Sequence, residues 1–202
     1  MTDETREQIR QAVRHFRLPA YEEITDVGLY LDQATRYVNE YMFPLSEDMA
    51  ITSHMISNYV KRQLIPSPVH RQYSRDQIAS LIVIAMTKSL VSLDNLYLLS
   101  HPKDESLDAR GLYNLFRDSL NRELQAIFGL QPLDLTPSPD LTDTEILIYN
   151  MTMAVAHKIY LDVCCTAIAR NGDAEKLQAR PRGKKEPKGG KSRMHGEAVT
   201  NA

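Results

Sequence analysis

Apolar residues recur at helical spacing along most of the chain, and proline, glycine or a capping side chain punctuates each run. Over residues 4–17, Ile9, Val13 and Phe16 share one side of a predicted helix that stops before Leu18-Pro19. Proline lacks an amide hydrogen and pushes its predecessor out of the helical region, so it ends such runs. A second helix is predicted over 28–42, burying Leu31, Ala34, Val38 and Tyr41 and ending before Pro44. A third is predicted over 52–64, starting at Thr52, whose hydroxyl can accept from first-turn amides, and ending ahead of Pro66. Ser74 and Gln77 have capping-box spacing and open a fourth helix. It is apolar on nearly every side (Ile78, Ala79, Leu81, Ile82, Val83, Ile84, Ala85, Met86, Leu90), the pattern of a central buried element.

A short helix is predicted over 93–99, and a longer one over 107–128 with Leu112, Leu115, Phe116, Leu120, Leu124 and Ile127 inward. A linker with three prolines, 129–139, precedes a second capping box, Thr142 with Glu145, which starts a final helix reaching about residue 170. Its stripe (Ile146, Tyr149, Met153, Ala156, Tyr160, Val163, Ala167) suits either a core or a dimer seam.

Glycine usage sharpens the fold class. Only Gly28, Gly111 and Gly129 of the 8 glycines precede Gly172. Tight turns between strands usually need glycine for positive φ, so a body this poor in it is predicted to be all-α. The 202 residues hold 24 Lys+Arg and 26 Asp+Glu, a formal net charge of −2. Nine basic and four acidic residues lie from Arg170 onward, leaving 15 and 22 in the body, so the body is near −7 and the tail near +5. The tail is almost free of aliphatic residues and is expected to be disordered. Cys164 and Cys165 make no disulfide framework, no apolar leader follows the N-terminus, and the longest uncharged apolar run, 146–156, is 11 residues. A membrane span needs about 20. A cytoplasmic protein without membrane association is the resulting expectation.

Motifs for chemistry are lacking: the body has no glycine-rich phosphate loop, nucleophile elbow, Cys-x-x-Cys or His-Glu-x-x-His. No enzyme, cofactor or metal is therefore expected. Adjacent cysteines on a helix point about 100° apart and do not chelate as a pair.

The informative stretch is 51–75, which contains Lys61, Arg62, Arg71 and Arg75 with His54 and His70, and no carboxylate, inside an acidic body. Ser53, His54, Ser57, Asn58, Lys61 and Arg62 fall on one arc of the predicted helix, while Met55, Ile56, Tyr59, Val60 and Leu64 can face inward. Short donors early in such a helix can reach base edges in a major groove, and basic residues at its end can hold phosphates. Residues 65–73 are too proline-bound for a helix and suit a short wing carrying His70, Arg71 and Tyr73, with Arg75 just beyond. Together these segments describe a winged helix-turn-helix whose partner is double-stranded DNA.

The run ISNYVKRQLIPSPVHRQYSRDQIASLIVI resembles the MerR-type helix-turn-helix. By that resemblance Tyr59 matches the second aromatic of an Arg-Tyr-Tyr motif, Lys61 the following basic position, and Tyr73 and Ser74 the tyrosine and cap after the wing. Ser57, Asn58 and Gln63 depart from it, standing where an arginine, an aromatic residue and a glycine are usual. LPAYEEITDVGLYLDQATRYVNEY together with ITSHMISNYVKRQLIPSPVHRQYSR is similar to the bacterial domain-of-unknown-function 1836 family, strongly over 18–99. The resemblances imply a small cytoplasmic bacterial regulator that binds DNA; a metal-sensing cysteine trio is lacking.

The predicted organisation is an N-terminal helix with an arginine stripe (1–20; Arg6, Arg10, Arg14, Arg17), a MerR-like winged domain (21–101), a C-terminal helical region that dimerises or senses an effector (102–170), and the basic tail (171–202). A homodimer is expected, since paired half-sites call for two copies. Two other readings use the same residues. One is a protein-interaction module docking the arginine stripe on an acidic partner; the other is an enzyme or small-molecule sensor around His157, Tyr160 and Cys164.

Overall fold

Capping side chains start the helices where their spacing predicts. Thr52 Oγ1 accepts from the Met55 amide at 3.2 Å, and the Ser74/Gln77 and Thr142/Glu145 capping boxes are both formed. The computed structural model describes residues 3–14, 16–42, 47–100, 107–130, 132 and 141–169. The tail expected to be disordered, 171–202, lies outside them. Among the described residues the chain is mostly helical, with α1 (Asp3–Arg14), α2 (Leu31–Met42), α3 (Ser53–Lys61), α4 (Arg75–Thr87), α5 (Leu93–Ser100), α6 (Ala109–Ile127) and α7 (Asp143–Ile168). Short 3-10 turns occupy Tyr21–Glu23 and Glu47–Met49.

Two strands interrupt the helices. β1 (Leu29–Tyr30) pairs antiparallel with β2 (Gln72–Tyr73), in the register Leu29 with Tyr73 and Tyr30 with Gln72. The helix predicted over 28–42 therefore begins only at Leu31, because the preceding residues are held extended by a distant strand. The helix predicted over 52–64 ends at Lys61, and α4 ends at Thr87, leaving Leu90 exposed rather than buried.

One hydrophobic core runs through all the described helices, and the segments predicted as 1–20, 21–101 and 102–170 share it. At its centre lies α4, with Ile78, Leu81, Ile82 and Met86 fully enclosed. It packs on α2, α5, α6 and α7, while α1 lies on α6 and α7. Tyr113 on α6 donates its hydroxyl to Pro19 O at 3.0 Å, tying the N-terminal segment to the C-terminal helices.

The buried stripe of α7 is Ile148, Thr152, Val155, Ala156 and Ile159, followed by Cys164 and Ala167. It differs from the predicted stripe: Ile146 is exposed, and Tyr149, Met153 and Tyr160 are half-buried. Apolar residues surround this helix on several sides, so periodicity alone does not select its inner face. By length and composition α7 is also apolar enough to cross a membrane, and 39% of its most apolar window is buried in the fold.

The α6–α7 interface encloses a carboxyl group. Glu123 is buried, its Oε1 accepts from Thr152 Oγ1 at 3.0 Å, and its Oε2 has no partner among the described residues. Burial lifts its pKa to about 7, against the opposing effects of the Thr152 hydrogen bond, Arg122 and His157. The fold thus holds a proton that the unfolded chain releases at lower pH, so stability falls as pH rises toward about 7 and the penalty is complete above it. Glu123→Gln, neutral throughout, is predicted to stabilise the protein by roughly 1–3 kcal/mol at pH 8 and by little at pH 5. Thermal melts of both proteins at the two pH values check this; an identical difference at each pH contradicts it.

Candidate nucleic-acid interface

A polar clamp from α2 sets the start of α3. Asn39 Nδ2 donates to Ile51 O and Asn39 Oδ1 accepts from Ile51 N, both at 2.9 Å. Ser53 Oγ donates to Asp32 Oδ1 at 2.9 Å and lies 3.0 Å from Thr35 Oγ1. Ile56 and Tyr59 are buried beneath, with 0% and 2% exposure. Helical spacing then places His54, Ser57 and Lys61 on one outward stripe, where all three are exposed.

The end of α3 is a Schellman motif. Leu64 N donates to Tyr59 O at 2.9 Å and Gln63 N to Val60 O at 3.0 Å. Gln63 occupies the left-handed position, φ 60°. The same motif closes α6, where Gly129 fills that position at φ 70°. A side chain with a Cβ costs about 1–2 kcal/mol there, which glycine avoids.

Beyond it, in the segment predicted as a wing, the chain turns back on itself in a short hairpin. Val69 and Gln72 bridge across a two-residue turn closed by Gln72 N donating to Val69 O at 2.9 Å. Its central residues, His70 and Arg71, have φ 50° and 65°. Positive φ at both positions is the type I′ hairpin turn, normally occupied by Asn-Gly because those residues tolerate it. Here the left-handed tip carries an imidazole and a guanidinium, both exposed. Buried Gln77 anchors the wing base: its Nε2 donates to Pro66 O and its Oε1 accepts from Ser74 N, each at 2.8 Å.

The ten predicted contact residues divide on this framework. His54, Ser57, Lys61, Arg62, His70 and Arg71 are exposed, and Asn58 is half-buried. Arg62 lies 3.8 Å from Asp94, and the Ser57 hydroxyl donates to Ser53 O at 2.9 Å. Three residues stand apart from the open face. Tyr73 is 4% exposed, because the alternation along β2 turns it into the core. Ser53 is held by Asp32 and Thr35. Arg75 donates from Nε to Ile24 O at 2.8 Å, lies 3.7 Å from Asp26 and covers the Tyr21 ring at 5.5 Å, so it fastens the N-terminal segment to α4. On Tyr21, burial and a hydroxyl hydrogen bond to Asp76 push the phenol up to about 12.

The other candidate cations are also exposed, but most of the arginines among them are paired. In the arginine stripe, Arg6 pairs with Asp3, Arg10 with Glu7 and Arg17 with Glu23, leaving only Arg14 without an ion pair among the described residues. Arg14 borders a groove of about 220 Å³ that Val13, Phe16, Asn121 and Leu124 also line. On α7, His157 is exposed with Nδ1 2.8 Å from Met153 O, while Tyr160 is half-buried beside buried Cys164, whose side-chain hydrogen bond raises the Tyr160 phenol. Among the described residues no three His, Cys, Asp or Glu side chains group as metal ligands.

Sequence reasoning missed β1. The available signal was Gly28: a Cβ there would lie 2.8 Å from Gln72 Cβ, so a close backbone approach requires glycine.

A mostly helical chain with a small sheet beside a polar helix is the class these elements define. The family model described as Domain of unknown function (DUF1836) matches residues 19–116. No curated protein and no solved structure matches the chain.

Relief of the left-handed strain is measurable. Gln63→Gly is predicted to stabilise the fold by about 1 kcal/mol, and His70→Asn with Arg71→Gly by about 1–2 kcal/mol. Urea denaturation checks both; a lower midpoint in either variant contradicts the strain assignment.

Proposed function

We propose that the protein is a DNA-binding transcriptional regulator built on a MerR-like winged helix-turn-helix, without enzymatic activity. In this reading α3 enters the major groove with His54, Ser57, Asn58 and Lys61 toward base edges. Arg62, His70 and Arg71 hold phosphates on either side. The carrying observation is the wing tip, where two adjacent non-glycine residues adopt the left-handed conformation and both bear exposed nitrogen-rich side chains. Strain of this kind is characteristic of functional positions, since Asn-Gly would form the same turn at lower cost. The absence of carboxylates from 51–75 in an otherwise acidic body supports the same reading.

A homodimer fits this function, because two copies present two recognition helices to paired half-sites. Its seam is assigned to α7, where exposed Leu147, Ala154 and Leu161 recur at seven-residue intervals on the outer side.

The test is a gel shift with duplex DNA from the protein's own promoter region. Lys61→Glu with Arg71→Glu is predicted to weaken binding by about a hundredfold or more, since each reversal replaces a phosphate contact with repulsion. Unchanged affinity in the double variant overturns the reading.

A further inference from the structure

The small sheet leaves two large apolar side chains in solvent, Tyr30 and Val69 on either side of half-buried Gln72, that the predicted contact residues do not include. Tyr30 pairs with Gln72, and Gln72 is bridged on its other side by Val69. Residues directly opposite in antiparallel pairing put their side chains on the same face, so Val69, Gln72 and Tyr30 form one row across the sheet. The alternate pair, Leu29 and Tyr73, takes the opposite face, where Tyr73 is buried in the core. The row is therefore directed outward, with Val69 71% and Tyr30 53% exposed. His70 and Arg71 follow Val69 directly, so the exposed apolar side chain borders a basic tip.

We propose that this row is a second contact with duplex DNA, in which Tyr30 and Val69 pack on deoxyribose and thymine methyl groups while Arg71 holds the adjoining phosphate. The inference rests on the DNA-binding reading above and assigns it a salt-independent component. DNA is the occupant because it combines both required chemistries within a few ångströms, an anionic backbone for the tip and apolar sugar and base-edge surface for the row.

The experiment measures fluorescence anisotropy of a labelled duplex from the upstream region, with the full-length chain, at low and high salt. Tyr30→Ala with Val69→Ala is expected to weaken binding by about tenfold at both salt concentrations, leaving the salt slope unchanged because no counterion contact is removed. Tyr30→Phe should retain wild-type affinity, since the ring rather than the hydroxyl makes the contact. Both side chains are exposed, so thermal melts should show an intact fold. If the double variant melts early, Val69→Thr, which keeps the branched shape and adds polarity, replaces it with a smaller loss expected. Wild-type affinity in a folded variant overturns the proposal and leaves the row to a protein partner. Failure of the wild-type chain to bind any duplex overturns the DNA-binding reading on which it rests.

Discussion

Helix α4 has almost no face to give to water, and the remaining elements are arranged around that constraint. Nine of its thirteen residues are buried, so α2, α5, α6 and α7 must cover it. Burying apolar surface is worth about 25 cal/mol per Å², so enclosing this helix is strongly favourable. Its N-terminus cannot be left as unsatisfied backbone in such surroundings. Ser74 and Gln77 satisfy it, and the second half of the Gln77 amide reaches the wing at Pro66. The element that makes the core thereby also anchors the base of the loop that carries His70 and Arg71.

Polar contacts divide along similar lines. Where the wing and α3 meet the body, side chains bond to backbone: Asn39 to Ile51, Gln77 to Pro66, Arg75 to Ile24. Each fixes an irregular segment at the edge of the same face. The cations left outward, Lys61 and Arg71, have no ion pair among the described residues. Exposed ion pairs contribute little stability, so unpaired cations cost the fold little and remain available to an external anion. The strain at His70, Arg71 and Gln63 is sustained because the core holds both ends of the wing.

What was legible in the sequence were features with local causes. Thr52, Ser74 with Gln77, and Thr142 with Glu145 act within one helical turn, and α4 announces its burial through continuous apolar character. Features set by distant partners were not legible. β1 exists because Leu29 and Tyr30 find β2, far along the chain; in isolation they read as the start of α2. Arg75 reads as a phosphate contact by charge, yet Tyr21 and Ile24 claim it. Tyr73 follows the period-two rule of a strand whose partner lies far back along the chain. The inner face of α7 depends on α6, since its own residues are apolar on several sides. Gln63 takes the left-handed φ that closes α3, a conformation that glycine adopts at lower cost.

The central claim, that α3 and the wing form one DNA-contacting face, is tested most directly by titrating isotope-labelled protein with duplex DNA and mapping backbone amide shifts by NMR. The account predicts the largest shifts at residues 53–62 and 69–72, with the inner turns of α4 unmoved. Shifts confined to the arginine stripe of α1 or to α7, or none at saturating DNA, would contradict it.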